Sequence, residues 1–403
     1  MNFIIVILFY QLNMIDENRI KNTVESFSFP RLSGTKDEEK ALNLMVDKLS
    51  KLNLEPKVQK FEFSTFYSRT YLKIGFLFSF LNLFFFYFNF ESILILMLLF
   101  VMFITLIVLF LITRNPENIK LRRLLPSANV YVKLESQKER KNNELVSEHD
   151  ILFFCHLDSK GQKFTIQTRI RAIQTWFYSA LILCIIIVLK NYIFIDSSLL
   201  IFIFGIIPFL INLITTILLV FNTTNNVSPG AIDNASGISC VFELLNHYIE
   251  PFNRLENSNL VFVFTGAEEC GTMGIRHFEK LIHSLDKSSV LFFNFDVIAQ
   301  SAYVFPVKKR SKDTQDLYSS LVNNESDYEH YELKKVPKTL YIGAHSDGYY
   351  LKQKGYQGIG FADMDVYNFI HSENDTPDKI NYSLLKDLCE LITIRLAIRD
   401  KQL

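Results

Sequence analysis

The sequence predicts an α/β protein built on a mostly parallel mixed sheet with helices on both faces, with four transmembrane helices inserted as two hairpins. Continuous apolar segments of strand length alternate with helical patterns, which is typical of sheets that are buried on both faces. Four further apolar segments are each about 20 residues long, the length that a helix needs to cross a bilayer. The 403 residues are enough for one large domain or two ordinary ones.

Charge and composition disfavour a nucleic-acid-binding protein and favour a membrane protein. The 42 basic residues balance the 42 acidic ones, so no global positive field favours nucleic acid as a partner. Apolar residues make up 49% of the chain, and its long uncharged segments are typical of membrane proteins. The five cysteines lack the paired spacing of a disulfide framework or of a cysteine zinc site. We therefore expect contact with membrane lipid and no binding of nucleic acid.

The first soluble segment is predicted to begin near residue 14. Residues 1–13 are largely apolar but too short to span a membrane, and they lack a basic start and a cleavage site. Met14 precedes an ordinary soluble pattern, which leaves open whether residues 1–13 belong to the mature protein. Helical spacing follows, with a turn around Pro30 and Gly34 and a strand at Val58–Phe63.

The hairpins are predicted where charged residues are nearly absent. Tyr71–Phe90 and Ile93–Thr113 form the first hairpin, and Trp176–Ile195 and Leu199–Phe221 form the second. Lys190 lies close enough to the end of its helix for the amine to reach the membrane interface. The alternative, buried helices of a soluble core, does not account well for four such segments in two pairs.

The rest of the chain is predicted to form one discontinuous soluble domain around the hairpins. Its bounds are 14–68, 115–174 and 222–403, and those of the hairpins are 71–113 and 176–221. Its later strands are predicted at Asn129–Leu134, Ile151–Cys155, Leu260–Thr265, Val290–Phe295 and Gly358–Phe361, and its later helices at Ser236–Tyr248, Gly274–His283 and Ser383–Ile398. This alternation indicates a mostly parallel sheet.

Basic residues decide the predicted orientation in the membrane. Both hairpins leave and re-enter on the same side, so the soluble segments share one face. That side is flanked by Arg69, Lys73, Arg114, Lys120, Arg122, Arg123, Arg169 and Arg171, whereas the hairpin tips carry little beyond Lys190. The positive-inside rule therefore predicts a multi-pass integral membrane protein with its soluble domain in the cytosol. The glycosylation acceptor pattern at Asn222 would instead indicate a lumenal face if it were used.

Three predicted strands run directly into residues of metal-ligand type, and two more such residues lie in turn-rich segments. In chain order the set is His156 with Asp158, Asp233, Glu268 with Glu269, Asp296 and His371. Because open α/β sheets bind ligands at the carboxyl ends of their strands, we expect these side chains to meet at one edge. So many buried charges would be costly without a metal.

The residue types indicate a pair of metal ions. Imidazole and carboxylate groups without cysteine suit zinc, with manganese or cobalt as substitutes. Five ligands are too many for one tetrahedral ion, but they suit two ions that share a carboxylate and together polarise a scissile carbonyl. Glu268 and Glu269 can supply one ligand and one general base. Asp158 can accept the second N–H of His156 and thereby fix the tautomer of the imidazole.

Taken together, these segments resemble the zinc aminopeptidases of metallopeptidase family 28. The matching segments, in the family's order, are His156–Ser159, Gly230–Gly237, Gly266–Gly274, Asn294–Asp296, Ser346–Asp347 and His371–Ile380. Pro30-Arg31-Leu-Ser-Gly34 also resembles the amino-terminal segment of the family. The resemblance covers nearly all of the soluble chain and implies the zinc-aminopeptidase-like form of the α/β fold.

Carried over residue by residue, the resemblance implies a water-bridged centre of two zinc ions. His156 and Asp296 would hold one ion, Glu269 and His371 would hold the other, and Asp233 would bridge them. Glu268 would be the general base and acid, and Asp158 would orient His156. The expected activity is that of a metallo-aminopeptidase, a hydrolase whose substrate is a peptide with a free amino terminus.

The chain departs from the family in two respects. Ile370 stands where many members have an aromatic residue directly before the last ligand histidine, and the simple secreted members lack the membrane spans. Near the motifs, His345 is expected to lie in a loop close to the site, and a role of Asp347 in shaping the pocket is an alternative to a purely structural one. Asp375 and Asp378 are expected to serve the turn around Pro377.

Other functions remain to be weighed against the aminopeptidase. A carboxypeptidase or a glutaminyl cyclase shares this fold, and a non-catalytic scaffold could retain it. Loss of ligands would favour either the cyclase or the scaffold, whereas all five ligands and Glu268 are present. A transporter is disfavoured because the predicted spans carry almost no charged residue except Lys190. The sequence leaves the oligomeric state, the natural metal and the preferred peptide open.

Overall fold

The computed structural model describes residues 15–90, 92–138, 150–283, 287, 290–306, 312–322, 333–335 and 346–402. The expectations about residues 1–13 and about His345 lie outside these ranges. The chain divides into two units. The sheet unit consists of the residues up to Phe63, Leu125–Gly161 and Asn226–Leu403, and the helix unit consists of Ser64–Leu124 and Gln162–Asn225.

An eight-stranded sheet, with strand order β1-β2-β6-β3-β7-β10-β8-β9, forms the centre of the sheet unit. Its strands are β1 (Lys57–Ser64), β2 (Leu124–Leu134), β3 (Ile151–His156), β6 (Leu260–Thr265), β7 (Leu291–Phe295), β8 (Ala302–Pro306), β9 (Leu333–Lys335) and β10 (Gln357–Ala362). The neighbours β6, β3, β7 and β10 are parallel, whereas β2 pairs antiparallel with β6 and β8 pairs antiparallel with β10. The sheet is mixed, and its four central strands all end at the same edge. Two short strands, β4 (Gly161–Gln162) and β5 (Thr224–Asn225), form a separate ladder.

Helices cover both faces of this sheet, as the sequence predicts. The helices of the sheet unit are α1 (Glu17–Phe27), α2 (Lys36–Lys51), α7 (Ser236–Ile249), α8 (Met273–Ile282), α9 (Lys312–Val322), α10 (Asp347–Lys354) and α11 (Tyr382–Asp400). On one face, Phe154 of β3 packs with Phe278 of α8 and Tyr350 of α10 in one buried cluster. On the other face, α7 packs against β3, β6 and β7.

Phenylalanines at alternate strand positions fill the core below α7. The ring of Phe153 stacks on Phe262 and Phe293 in the neighbouring strands, with centroids 5.0 and 5.4 Å away. All residues of β3, β6 and β7 are buried. Burial on both faces explains why these strands are continuously apolar and why the sequence predicts them well. It also makes the ends of these strands rigid supports for the side chains that follow.

The helix unit contains four long apolar helices: α3 (Leu72–Tyr87), α4 (Ile93–Ile112), α5 (Ile166–Val188) and α6 (Ser198–Val220). With their flanking turns they form four segments that are long and apolar enough to cross a membrane, at Tyr67–Tyr87, Ile93–Ile112, Ile166–Ile193 and Ile195–Val220. Helix α5 begins ten residues before the predicted span, because Thr165 caps it by accepting a hydrogen bond from the backbone N–H of Thr168. The predicted boundary at residue 174 therefore falls inside a helix.

Lys190 lies just beyond the end of α5, next to the end of α3. The residue is buried within the helix unit, and its Nζ donates hydrogen bonds to the backbone carbonyl of Tyr87 and to Oδ1 of Asn89, at 2.5 and 2.9 Å. The carbonyls at the carboxyl end of α3 carry partial negative charge, which explains why the amine turns inward.

Candidate metal centre

The seven residues singled out from the sequence meet at one edge of the sheet. His156 ends β3, Asp296 directly follows β7, and Glu268 lies three residues beyond the end of β6. Because these strands are parallel, their carboxyl ends bring the three side chains to the same place. Asp233 comes from the turn before α7 and His371 from the segment between β10 and α11.

One group of possible metal ligands, the His156 group, consists of His156, Asp233 and Asp296. Nε2 of His156 lies 3.1 Å from Oδ1 of Asp233 and 3.4 Å from Oδ1 of Asp296. The imidazole and the Asp233 carboxylate are buried, whereas the Asp296 side chain keeps 16% of its exposure. Three donor atoms of these types could surround one divalent cation.

A second group, the His371 group, consists of Asp233, Glu269 and His371. Nε2 of His371 lies 3.0 Å from Oδ2 of Asp233 and 2.9 Å from Oε1 of Glu269. The two carboxylate oxygens of Asp233 therefore face different histidines. A carboxylate with this orientation can bridge two cations, one in each group.

The donors fit divalent cations in chemistry as well as in position. Oε1 of Glu269 is buried and has no hydrogen bond of good geometry among the described residues, although Nε2 of His371 is 2.9 Å away. The nitrogen of His371 and the oxygen of Glu269 are thus close together without hydrogen-bond geometry. Two ligands of one metal ion are arranged in the same way. The donor set is imidazole and carboxylate without thiolate, which suits zinc.

Electrostatics also favour positive charge at this place. Burial would by itself lower the pKa of His156, but its contacts with Asp158, Asp233 and Asp296 outweigh burial and raise that pKa well above its usual value. Burial would raise the pKa of Asp233, but His156 and His371 lower it below its usual range. The carboxylates thus stabilise a cation beside them, and a divalent metal ion would supply that charge.

Glu268 and Glu269 are neighbours in sequence with opposite electrostatics. Burial raises the pKa of Glu268 well above its usual value, even though His156 acts to lower it. Burial would raise the pKa of Glu269 as well, but His371 and Lys160 lower it to about 2. Two adjacent carboxyl groups with separated pKa values are suited to different roles, Glu269 as an anionic ligand and Glu268 as a group that takes up a proton.

Asp158 is placed differently from the expectation. Nδ1 of His156 lies 3.0 Å from the backbone carbonyl of Asp158 and 3.5 Å from its carboxylate Oδ1. The carboxylate instead accepts hydrogen bonds from the backbone N–H groups of Glu268 and Glu269, at 3.0 and 3.1 Å, and from the hydroxyl of Ser33. Asp158 therefore orients His156 through its main chain and fixes the Glu268-Glu269 turn through its side chain.

Arg31, which the sequence singles out only within a family motif, is fully buried behind the ligands. Its guanidinium donates to the backbone carbonyl of Leu157 at 2.7 Å and to those of Pro229 and Gly230 at 2.8 and 3.0 Å. It also donates to two carbonyls at the end of α1. Burial lowers the pKa of Arg31 to about 10, so the side chain stays charged at neutral pH. Arg31 links the loop that carries His156 to the turn that carries Asp233.

Asp375 is expected to serve only the turn around Pro377, but in the structure it also contacts the segment before Asp233. The residue is fully buried, and its Oδ1 accepts a hydrogen bond from the backbone N–H of Ile232 at 2.6 Å. Its Oδ2 accepts one from Ser228, and its backbone carbonyl accepts one from Ala231. Asp375 thus fixes the residues immediately before Asp233. Asp378, in contrast, is exposed and bonds within its own turn, as expected.

Sequence reasoning misses Lys160 and Glu38, and it does not predict the contact that Asp347 makes. Lys160 donates a hydrogen bond to Oε2 of Glu269 at 2.5 Å. Glu38, buried at the start of α2, accepts from the backbone N–H groups of Gly34 and Ala267, at 2.6 and 2.9 Å. Asp347 accepts from the hydroxyl of Thr265 at the end of β6, and it is buried as a pocket-shaping residue would be. The position of Lys160 close to Asp158 is the one signal in the sequence for the contact of Lys160. No local pattern marks the contacts of Glu38 and Asp347.

Known protein families and solved structures include proteins that are similar to this chain. Residues 218–394 match the model of peptidase family M28. No curated protein sequence matches the chain. Among solved structures, an aminopeptidase from Aneurinibacillus sp. strain AM-1 is 13% identical, with 96% of this chain and 94% of that chain covered and a TM-score of 0.55.

Two further solved structures show the same fold. A zinc aminopeptidase from Bacillus subtilis is 14% identical over 95% of this chain and 94% of its own, with a TM-score of 0.53. A glutaminyl cyclase from Macrostomum lignano is 12% identical over 97% of this chain and 91% of its own, with a TM-score of 0.54. Residues 218–394 thus resemble peptidase family M28, and the chain shares the fold of these solved aminopeptidases.

Proposed function

We propose that this protein is a membrane-anchored metallo-aminopeptidase that uses two zinc ions to remove amino-terminal residues from peptides. The observation that carries the proposal is the orientation of Asp233, whose two carboxylate oxygens face the histidines of two separate ligand groups. One shared carboxylate between two such groups is the arrangement that a pair of ions requires.

In this proposal the His156 group holds one ion and the His371 group holds the other, with Asp233 common to both. Zinc, when bound, would supply Lewis acidity that polarises the scissile carbonyl and acidifies water; manganese or cobalt could substitute. Asp158 and Arg31 hold the loops on which these ligands lie. The protein's own contribution is thus a set of donors that is fixed before substrate arrives.

Glu268 is the proposed general base and acid. The residue is 7% exposed and lies beside the ligands, and the structure records no hydrogen bond or ion pair for its carboxylate among the described residues. It can therefore accept a proton from the water that attacks the carbonyl carbon and then donate that proton to the leaving amine nitrogen. Glu269 is unsuited to this task because Lys160 and His371 hold it as an anion.

The preference for a free amino terminus is supported by the aminopeptidase relatives. A glutaminyl cyclase is the second candidate, because proteins of that activity share the fold at a similar TM-score. Hydrolysis consumes water and releases an amino acid, whereas cyclisation releases ammonia from an amino-terminal glutamine, so the two activities are separable by product.

The decisive experiment compares free and amino-acetylated reporter peptides, and a glutaminyl peptide, with the detergent-purified full chain. Chelator-sensitive cleavage of the free-amine peptides, restored by zinc, is the expected result. Ammonia release from the glutaminyl peptide without cleavage of the others would favour the cyclase. No reaction with any peptide, in a protein that binds two zinc ions, would favour a non-catalytic scaffold.

A further inference from the structure

The two ligand groups are nearly symmetric in composition. Each consists of one imidazole nitrogen, one oxygen of Asp233 and one oxygen of a carboxylate that belongs to that group alone, Asp296 in one and Glu269 in the other. If these unshared carboxylates had the same surroundings, the two positions would bind a divalent cation with similar strength. Their surroundings differ.

A cationic side chain contacts Glu269. The Nζ of Lys160 lies 2.5 Å from Oε2 of Glu269, in a charge-assisted hydrogen bond, and the two side chains are only 15% and 6% exposed. Water screens a contact of this kind poorly, so the ammonium charge acts at nearly full strength on the carboxylate.

Asp296 has no comparable partner in the described part of the chain. The ion pair recorded for its carboxylate is with His156, at 3.4 Å, within its own ligand group. Both oxygens of Asp296 can therefore bind a cation. In Glu269, Oε2 is bonded to Lys160, and Oε1 alone faces the His371 group.

Two opposing effects of Lys160 on a cation have to be compared. Its charge repels a divalent ion and withdraws electron density from the carboxylate that must bind that ion. Its hydrogen bond also holds Glu269 in one rotamer, which removes an entropy cost of binding. The repulsion acts on a doubly charged ion across a single carboxylate in a poorly screened site, whereas the entropy gain concerns one side chain. Repulsion is therefore the larger effect.

We propose that Lys160 makes the two cation positions unequal, so that the His371 group binds its divalent cation more weakly than the His156 group and loses it first. This inference rests on the proposed function, since both require two cations. It predicts stepwise loading, with the His156 group occupied before the His371 group. The activity of the protein would then respond to the supply of the second ion.

A calorimetric titration of the chelator-stripped full chain with zinc tests this proposal without relying on activity. The unaltered chain should bind zinc in two resolved steps. In Lys160→Met the weaker step should tighten by about tenfold, because the repulsion between the ammonium and the divalent ion is removed, while the tighter step stays within about twofold. Lys160→Arg should resemble the unaltered chain because it keeps the charge.

Lys287→Met is the matched control, because Lys287 also pairs with a carboxylate of the sheet unit, Glu279, that is outside both ligand groups. It should leave both steps unchanged. Glu269→Gln separates the two proposals. If this variant loses the weaker step but Lys160→Met alters neither step, or weakens the second, the inference about Lys160 is wrong and the two-ion site stands. If the unaltered chain binds fewer than two ions, the proposed two-zinc centre is wrong.

Discussion

Glu268 and Glu269 show how adjacent residues of one type acquire different chemistry. Asp158 fixes the turn that carries both residues by accepting hydrogen bonds from their backbone N–H groups. Lys160 and His371 contact the carboxylate of Glu269 but not that of Glu268. The side chain of Glu268 keeps its carboxylate available. The division of roles that the resemblance implies for this pair thus has a physical basis in contacts that only one of them makes.

Glu268→Gln should abolish peptide hydrolysis while leaving zinc content nearly unchanged. An amide of the same shape cannot take up a proton, and loss of a general base costs on the order of 10²- to 10⁴-fold in turnover. Zinc per chain by atomic absorption and the rate of reporter hydrolysis give the two readouts. Glu25→Gln, at an exposed position of α1, is the control. A Glu268→Gln variant with full activity would contradict the assigned base.

Arg31 is expected to matter for metal binding although it touches no metal ligand side chain. Arg31→Met removes a buried charged donor from five backbone carbonyls, which should cost about 3 kcal/mol in the free energy of unfolding. Because those carbonyls belong partly to the His156 and Asp233 loops, zinc affinity should fall as well. Thermal melting with and without zinc measures both effects.

Arg399→Met is the matched control for Arg31. Arg399 is also a buried arginine of the sheet unit, in α11 rather than beside the ligand loops. This variant should change the melting temperature without changing zinc affinity. Equal zinc affinity in Arg31→Met and the unaltered chain would show that Arg31 supports the fold but does not position the ligands.

The sequence predicts that the residues proposed as metal ligands meet at one edge of the sheet, as the structure shows, but it does not predict most of the residues that position them. His156 and Asp296 stand directly after predicted apolar strands, and the Glu268-Glu269 pair begins three residues after one, so strand prediction alone brings them to one edge. The contact of Lys160 with Glu269 joins residues 109 positions apart, and that of Asp375 with Ile232 joins residues 143 apart. Such pairings depend on the folded loops and leave no local pattern.

Among the helices and strands, the bounds predicted from the sequence are most accurate for the elements that are most buried. Strands β3 and β6 and helix α7 match their predictions to within one residue, because continuous burial or an amphipathic period marks them. Helix α10 and strand β8 were not predicted. Helix α10 has the sequence Asp-Gly-Tyr-Tyr-Leu-Lys-Gln-Lys, in which apolar residues show no helical period, and its formation depends on the Ser346 cap and on packing of Tyr350 and Leu351.

Helix α2 links the amino-terminal segment to the Glu268 turn through Glu38, and this link should depend on pH. Burial raises the pKa of Glu38 to about 8, and the nearby charge of Asp158 adds to the increase. In the unfolded chain the pKa is the ordinary value of 4.5. Between these values the folded state holds a proton that the unfolded state has lost, so the free energy of unfolding falls as pH rises and levels off above about pH 8.

Glu38→Gln should therefore flatten the loss of stability between pH 5.5 and 8, by on the order of 1 kcal/mol per pH unit. Melting temperatures of the chelator-stripped protein across this range provide the measurement, and Glu39→Gln, an exposed neighbour on the same helix, is the control. If Glu38→Gln and Glu39→Gln follow the unaltered chain alike, ionisation of Glu38 contributes nothing to the pH dependence.

For the whole molecule, the sequence locates both units because the helix unit consists of long apolar segments, whereas the sheet unit alternates strands and helices. In α4, Ile93 and Met97 keep 77% and 62% of their exposure, as expected for side chains that lipid would cover. In β3 and β6 every residue is buried within protein. The exact unit boundary was harder to place, because α5 starts among polar residues such as Arg169, where composition still resembles a soluble segment.

Orientation in the membrane is the whole-molecule prediction that remains to be tested. In the predicted topology each hairpin returns to its starting side, so the basic residues that flank the spans would share that side with the soluble segments of the sequence. The positive-inside rule therefore predicts that this side is cytosolic. Asn222 should then carry no glycan, and added protease should digest the sheet unit in sealed vesicles whose cytosolic face is outward.

Two substitutions make the orientation test independent of how well the protease cuts. Asn222→Gln removes the acceptor, so a shift in mobility that endoglycosidase abolishes and that this variant lacks would place the sheet unit in the lumen. Asp196→Cys puts a thiol at the tip of the second hairpin, between α5 and α6. A membrane-impermeant maleimide should label it only after permeabilisation if the tip is lumenal. Labelling of the tip in intact vesicles together with a glycan at Asn222 would reverse the predicted orientation, and the substrates of the peptidase site would then be lumenal peptides.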